Sequence, residues 1–139
     1  MYLASLGNNL HALDFYETPI RNLKFAKENY EKNLGKSLNL EMICGDFFNT
    51  NFADNQFDIV FNSGVIEHYI NSDERIELLK EMRRITKKNG YILTAFPNKL
   101  HPLVSWWDFL RRNFSDYEKY ELPEFQITPS QIIDEMKSA

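Results

Sequence analysis

Three polar positions in this chain each follow directly on an apolar run. Asp14 follows Leu10-His11-Ala12-Leu13, and Asp46 follows the alternating Leu38, Leu40, Met42 and Cys44. Asn62-Ser63-Gly64 follows Phe57-Asp58-Ile59-Val60-Phe61. An acidic side chain at the end of a strand accepts hydrogen bonds from two ribose hydroxyls. Asp46 suits an exocyclic amine such as that of adenine, and Phe47 and Phe48 beside it suit a purine face. Gly64 lets a ligand approach the backbone closely. His68 is the one candidate base near these positions, because imidazole changes charge near physiological pH and can deprotonate a hydroxyl. Each residue also has a plainer reading. An Asp after a strand is a turn former or helix cap, and Glu67-His68 can simply order the loop before the next helix. Glu67 and His68 lack a second His or carboxylate at ligand spacing, so no metal site is expected. His11, inside a strand, and His101, before a proline, read as structural or solvated.

The elements that would position these residues alternate in type. Strands are expected over Leu10 to Leu13, Leu38 to Cys44, Phe57 to Phe61 and Tyr91 to Phe96. The run from Phe57 to Phe61 is continuous enough to be buried on both faces. Between the first two strands, Thr18-Pro19 reads as an N-cap with proline at the first helical position. Ile20, Leu23, Ala26, Tyr30 and Leu34 then form one apolar face, and Gly35 ends the helix. Asn71 with Glu74 three residues on reads as a capping-box-like start to a second helix. Its buried stripe is Ile76, Leu79, Met82 and Ile85, and Asn89-Gly90 is expected to close it. A short helix over Trp106 to Arg112 and a last helix from Thr128-Pro129-Ser130 complete the chain. Strands alternating with helices predict an α/β domain with a mostly parallel sheet. Right-handed crossovers put the strand ends, and the three polar positions, on one rim.

Composition narrows the function classes. With 139 residues the chain is long enough for one domain. It is 43% hydrophobic and 26% charged, which is globular and not disordered. The net charge of −4 lacks the electrostatic footprint of a nucleic-acid binder. No apolar run approaches the about 18 residues of a membrane span, and there is no signal pattern, so a cytoplasmic location is expected. A single cysteine, Cys44, excludes an internal disulfide.

The succession Gly45-Asp46-Phe47, Phe57-Asp58-Ile59-Val60-Phe61, Gly64-Val65-Ile66-Glu67-His68, Leu79-Lys80-Glu81-Met82-Arg83-Arg84 and Asn89-Gly90-Tyr91-Ile92-Leu93 resembles the class I S-adenosylmethionine-dependent methyltransferases. It is most similar to those acting on small molecules, over nearly the whole chain. The resemblance implies a Rossmann-like, doubly wound, mostly parallel sheet, with S-adenosyl-L-methionine as cofactor and a small organic acceptor methylated on oxygen, nitrogen or carbon. It places Asp14, with Phe15 beside it, on the cofactor ribose. Asp46 and Phe47 fall at the adenine, and Asn62, Ser63 and Gly64 beside the methionine portion and the transferred methyl. The family's glycine-rich loop lies about 20 residues before the ribose acid, and no G-x-G occurs here. Met1 to Gly7 reads as the tail of the helix that follows that loop. The expectation is therefore a partial domain over 1–139, lacking the central first strand and the C-terminal antiparallel strands. Such a domain is a fragment, or is completed by a second chain. Alone, it is expected to bind cofactor weakly.

In similar methyltransferases the insertion after the fourth strand, 99–126 here, covers the substrate. Trp106, Trp107 and Tyr117 would then line an acceptor pocket; a local hydrophobic cluster is the plainer reading. Acidic residues among these aromatics disfavour nucleic acid. Two other functions remain: a non-catalytic partial domain that pairs with or regulates a methyltransferase chain, and a short-chain dehydrogenase-like NAD(P)-binding domain. Against the latter, no tyrosine has a lysine four residues on.

Overall fold

Local chemistry sets the element boundaries. In the computed structural model, which describes residues 1–98, 100–113 and 127–139, the chain forms α1 (Tyr2–Ser5), β1 (Leu10–Asp14), α2 (Glu17–Leu34) and β2 (Leu40–Cys44). It continues as β3 (Phe57–Ser63), a 3-10 turn (Ile66–His68), α3 (Ser72–Ile85), β4 (Thr86–Ala95), α4 (Pro102–Asn113) and α5 (Pro129–Ser138). Gly35 ends α2 in the left-handed region, as its sequence position predicts. Thr128 caps α5 in a full capping box with Gln131. Two boundaries and one cap differ from expectation. α2 starts two residues earlier, with Tyr16 at its N-cap, so Thr18 and Pro19 sit inside the first turn, where amide donors are unpaired in any case. Asn71 does cap α3, but it accepts from the Asp73 amide without reciprocal help from Glu74. Asn89-Gly90 lies within β4, which follows α3 directly at Thr86.

That last shift has a packing cause. β3 and β4 pair in parallel from Phe57↔Thr86 to Ser63↔Ala95, with a register irregularity between Phe57 and Ile59. β4 takes up the extra residues over the segment that holds Gly90. A Cβ on Gly90 would lie 2.6 Å from the Asp58 carbonyl oxygen and 2.8 Å from Thr86 Cγ2, so glycine is required where the strands close.

The chain divides into two units, Met1–Thr50 and Asn51–Ala139. In the first, β1 and β2 are parallel in the register Leu10↔Leu40 to Asp14↔Cys44. The core is Ala4, Leu38 and Leu40, with Met1, Leu10, Ala12, Tyr30 and Met42 packed against it. His11 Nδ1 lies 3.1 Å from Glu41 Oε2, its register partner on β2. This matches the structural reading of His11.

In the second unit, β3–β4 forms a separate two-stranded parallel sheet. The mostly parallel Rossmann-like pairing is present, in two ladders. β3 is not covered on both faces. Ile59, Phe61, Tyr91 and Leu93 are 55%, 60%, 68% and 54% exposed, while buried Leu78, Leu79, Met82 and Ile85 come from α3. Ile127, fully buried, forms an isolated bridge with Asn98.

One buried ion pair organises this unit. Arg75 on α3, 3% exposed, donates through Nε and Nη2 to the two carboxylate oxygens of Glu135 on α5, at 2.9 and 2.5 Å. Its Nη1 donates to the Tyr69 and Ile70 carbonyls, each at 2.8 Å. Ser72 Oγ donates to Glu135 Oε1 at 2.8 Å. Burial pushes the Glu135 carboxyl up. The Arg75 and Ser72 hydrogen bonds, with the Arg75 charge, outweigh that and hold it below the usual carboxylate range.

Arg75→Ala is expected to cost this unit about 3–5 kcal/mol, because it strands a buried carboxylate. Urea unfolding measures it, and a loss within about 1 kcal/mol would contradict it. Since the folded value of Glu135 is depressed, its stabilisation is complete above the ordinary glutamate value of about 4.3 and fades as pH falls through the lower folded value. The same titration repeated between neutral pH and pH 3 should show that loss in the parent and not in Arg75→Ala. Gly90→Ala should destabilise by about 1–3 kcal/mol through backbone overlap, seen as a lower thermal midpoint; an unchanged midpoint would mean that the strands can part there freely.

Candidate functional site

Parallel pairing decides which side chains can act together. In the first unit Asp14 and Cys44 are register partners at the carboxyl ends of β1 and β2. The Gly45 amide continues the ladder to the Asp14 carbonyl at 3.0 Å. Asp46, two residues past β2, therefore stands on the same rim as Asp14. Phe15 and Phe47 adjoin them in sequence, so all four residues lie at the carboxyl ends of β1 and β2.

Each carboxylate is fixed by its own loop. Asp14 Oδ1 accepts from the Tyr16 amide at 2.9 Å, and Asp46 Oδ1 accepts from the Phe48 amide at 2.9 Å. These are Asx turns, the plain role of Asp after a strand. They also leave Oδ2 of each carboxylate without a partner among the described residues. One oxygen orients the group and the other can accept from a ligand. Phe15 is exposed and meets the Tyr16 ring edge to face at 5.3 Å. Phe47 is half-buried. The rim thus presents two acidic acceptors with aromatic residues next to them in sequence.

In the second unit Asn62 and Ser63 are the last residues of β3 and Gly64 follows, its amide donating to the Ala95 carbonyl at 3.3 Å. Asn62 Nδ2 lies 3.2 Å from both Met82 Sδ and Thr94 Oγ1, tying β3 to α3 and β4. Its Oδ1 is buried with no partner. Ser63 and Gly64 are exposed, and Gly64 has a φ of 72°, which favours glycine. Ile66, fully buried, pins the 3-10 turn, and His68 at its end is exposed. Glu67 is 4% exposed, and its Oε2 is a buried acceptor with no partner. The sequence marks Glu67 only as a loop-ordering residue. Its position directly after an apolar anchor, Ile66, is the one signal that it is buried.

Trp106 is exposed on α4 and stacks on Phe109 at 5.8 Å. Trp107 belongs to the same helix, and its side chain lies outside the described residues. Tyr117, and residues 99 and 114–126 of the expected insertion, also lie outside them. No helix among the described residues is long and apolar enough to cross a membrane.

Comparison with known proteins bears on the family and the fold. A methyltransferase-domain family matches residues 1–94, and the chain belongs to that family. Among solved structures, an S-adenosylmethionine-dependent methyltransferase from Methanosarcina mazei superposes with a TM-score of 0.76 at 18% identity, covering 99% of this chain and 71% of its own. Magnesium protoporphyrin IX methyltransferase from Synechocystis, solved with S-adenosylhomocysteine, gives 0.74 at 14% identity, covering 99% and 56%. At these identities the likeness establishes the Rossmann-like methyltransferase fold. A curated mouse protein, probable tRNA methyltransferase 9B, is 36% identical over 52 residues, which are 37% of this chain and 11% of that protein.

Proposed function

We propose that this chain binds S-adenosylmethionine and takes part in methyl transfer to a small organic acceptor. The shared rim of Asp14 and Asp46 carries the reading: two carboxylates oriented by Asx turns, each with one oxygen left to accept. Asp14 accepts from the ribose hydroxyls, with Phe15 beside it. Asp46 accepts from the adenine amine, and Phe47 packs on the ring. The family resemblance assigns Asn62, Ser63 and Gly64 to the methionine portion, and the Gly64 conformation permits close approach. Bound there, the cofactor supplies a methyl group activated by its sulfonium. The protein's part is to hold the acceptor atom in line and to exclude water. Where the acceptor presents a hydroxyl, exposed His68 takes its proton. Trp106, Trp107 and Tyr117 supply apolar surface to the acceptor. A chain of this globular composition and modest negative charge suits work in the cytoplasm.

A second reading, a partial domain that pairs with another chain, rests on the exposed apolar face of Ile59, Phe61, Tyr91 and Leu93. One of the structural neighbours is a methyltransferase complexed with its activator. Sedimentation equilibrium of the full-length protein separates the readings. Self-association that is lost in Phe61→Ser would support pairing through this face, and a monomer at all concentrations would remove self-pairing.

Asp14→Asn in the full-length protein is expected to weaken S-adenosylhomocysteine binding about 10–100-fold, the worth of hydrogen bonds to a charged acceptor. Calorimetry reads this directly. An unchanged dissociation constant would remove Asp14 from the site.

A further inference from the structure

Burying a carboxylate without a donor is costly, and native structures avoid it unless the group has work to do. Glu67 is such a group. It is 4% exposed, and its Oε2 has no hydrogen-bond partner. The cation nearest to it in sequence on the folded loop, Arg75, is committed to Glu135 and to the carbonyls of Tyr69 and Ile70. The turn that carries Glu67 is held on one side by fully buried Ile66, and at its exit by those two carbonyls in the grip of Arg75. These anchors hold the backbone of the turn in place. Its other oxygen lies 3.8 Å from the place a Cβ on Gly64 would occupy, at the carboxyl end of β3.

We infer that Glu67 is a binding residue for a protonated amine delivered to the carboxyl end of β3 beside Gly64. An ammonium group supplies what the buried carboxylate lacks, a positive charge and N–H donors in one small head. Rigid anchoring means the protein meets the cost of holding the acceptor ready before the ligand arrives, and binding recovers it. Two ligands offer this chemistry: the amino-acid end of the cofactor, and an amine on the methyl acceptor. The inference rests on the cofactor reading above for the first source and is independent of it for the second.

Glu67→Gln keeps the shape and removes the charge. The full-length protein and this variant are titrated with S-adenosylhomocysteine, with 5′-methylthioadenosine, which lacks the amino-acid end, and with phenethylamine as a primary-amine probe. With the cofactor as source, the variant binds S-adenosylhomocysteine about 10-fold or more weakly and 5′-methylthioadenosine unchanged. With the acceptor as source, both nucleosides bind unchanged and phenethylamine binding falls by a similar factor. The ligand-free variant should melt at or above the parent temperature, because an uncompensated buried charge is gone; a merely structural Glu67 would lower it. All three affinities within twofold of the parent would overturn the inference. If the variant does not fold, the parent alone is decisive. It should bind N-acetylated S-adenosylhomocysteine, or N-acetylated phenethylamine, about 10-fold more weakly than the free amine, and equal affinities for both pairs would overturn the inference. A parent that binds neither nucleoside overturns the cofactor reading instead, and the amine pair still tests Glu67.

Discussion

Arg75 is a guanidinium almost wholly withdrawn from water, and much of the larger unit is arranged around satisfying it. Two of its nitrogens meet the Glu135 carboxylate and a third meets two carbonyls of the preceding loop. A buried pair of this kind adds little net stability over an apolar substitute, since desolvation consumes most of the Coulomb gain. What it does fix is arrangement. The placement of α5 on α3 gives Glu135 both Arg75 nitrogens and the Ser72 hydroxyl, and the path of the Tyr69–Ile70 loop gives Arg75 two further acceptors.

That placement reaches the site through the backbone. The loop gripped by Arg75 is the exit of the 3-10 turn carrying Glu67 and His68, and fully buried Ile66 secures the same turn from the core side. The end of β3 is thus flanked by a segment with two independent anchors. The first unit achieves order at its rim differently, with short Asx turns at Asp14 and Asp46 and no buried charge. Local hydrogen bonding suffices there because each carboxylate has only to orient itself. Holding a buried carboxylate in place takes tertiary packing.

This difference also explains what could be read from the residues alone. Asx turns, the Asn71 and Thr128 caps and the Gly35 terminus depend on neighbours in sequence, and all were legible. So was the parallel α/β character, because apolar runs alternated with helical periodicity. The start of β4 at Thr86 was not legible. Asn89-Gly90 has the composition of a turn, and only the approach of the Asp58 carbonyl to Gly90 gives the glycine another purpose. Two-sided burial of β3 was inferred from an apolar run, but Ile59 and Phe61 stand on the exposed face. An apolar run records that a face is suited to a partner layer, and says nothing of where that layer comes from. The burial of Arg75 and Glu67 was invisible for a related reason: a charge on a helix or turn reads as solvated unless the fold withdraws it.

Methyl transfer from a sulfonium asks for no unusual side chain. The leaving group is already activated, so the protein contributes alignment, exclusion of water and, for some acceptors, one proton transfer. Asp14 and Asp46 are ordinary surface-type residues whose significance comes from standing at neighbouring parallel strand ends with one oxygen each left over. In such a chain, the groups that define the chemistry of recognition are those whose hydrogen bonding the fold leaves incomplete. By that criterion Glu67, with Asn62, is where the second unit leaves a buried oxygen unpaired at the end of β3.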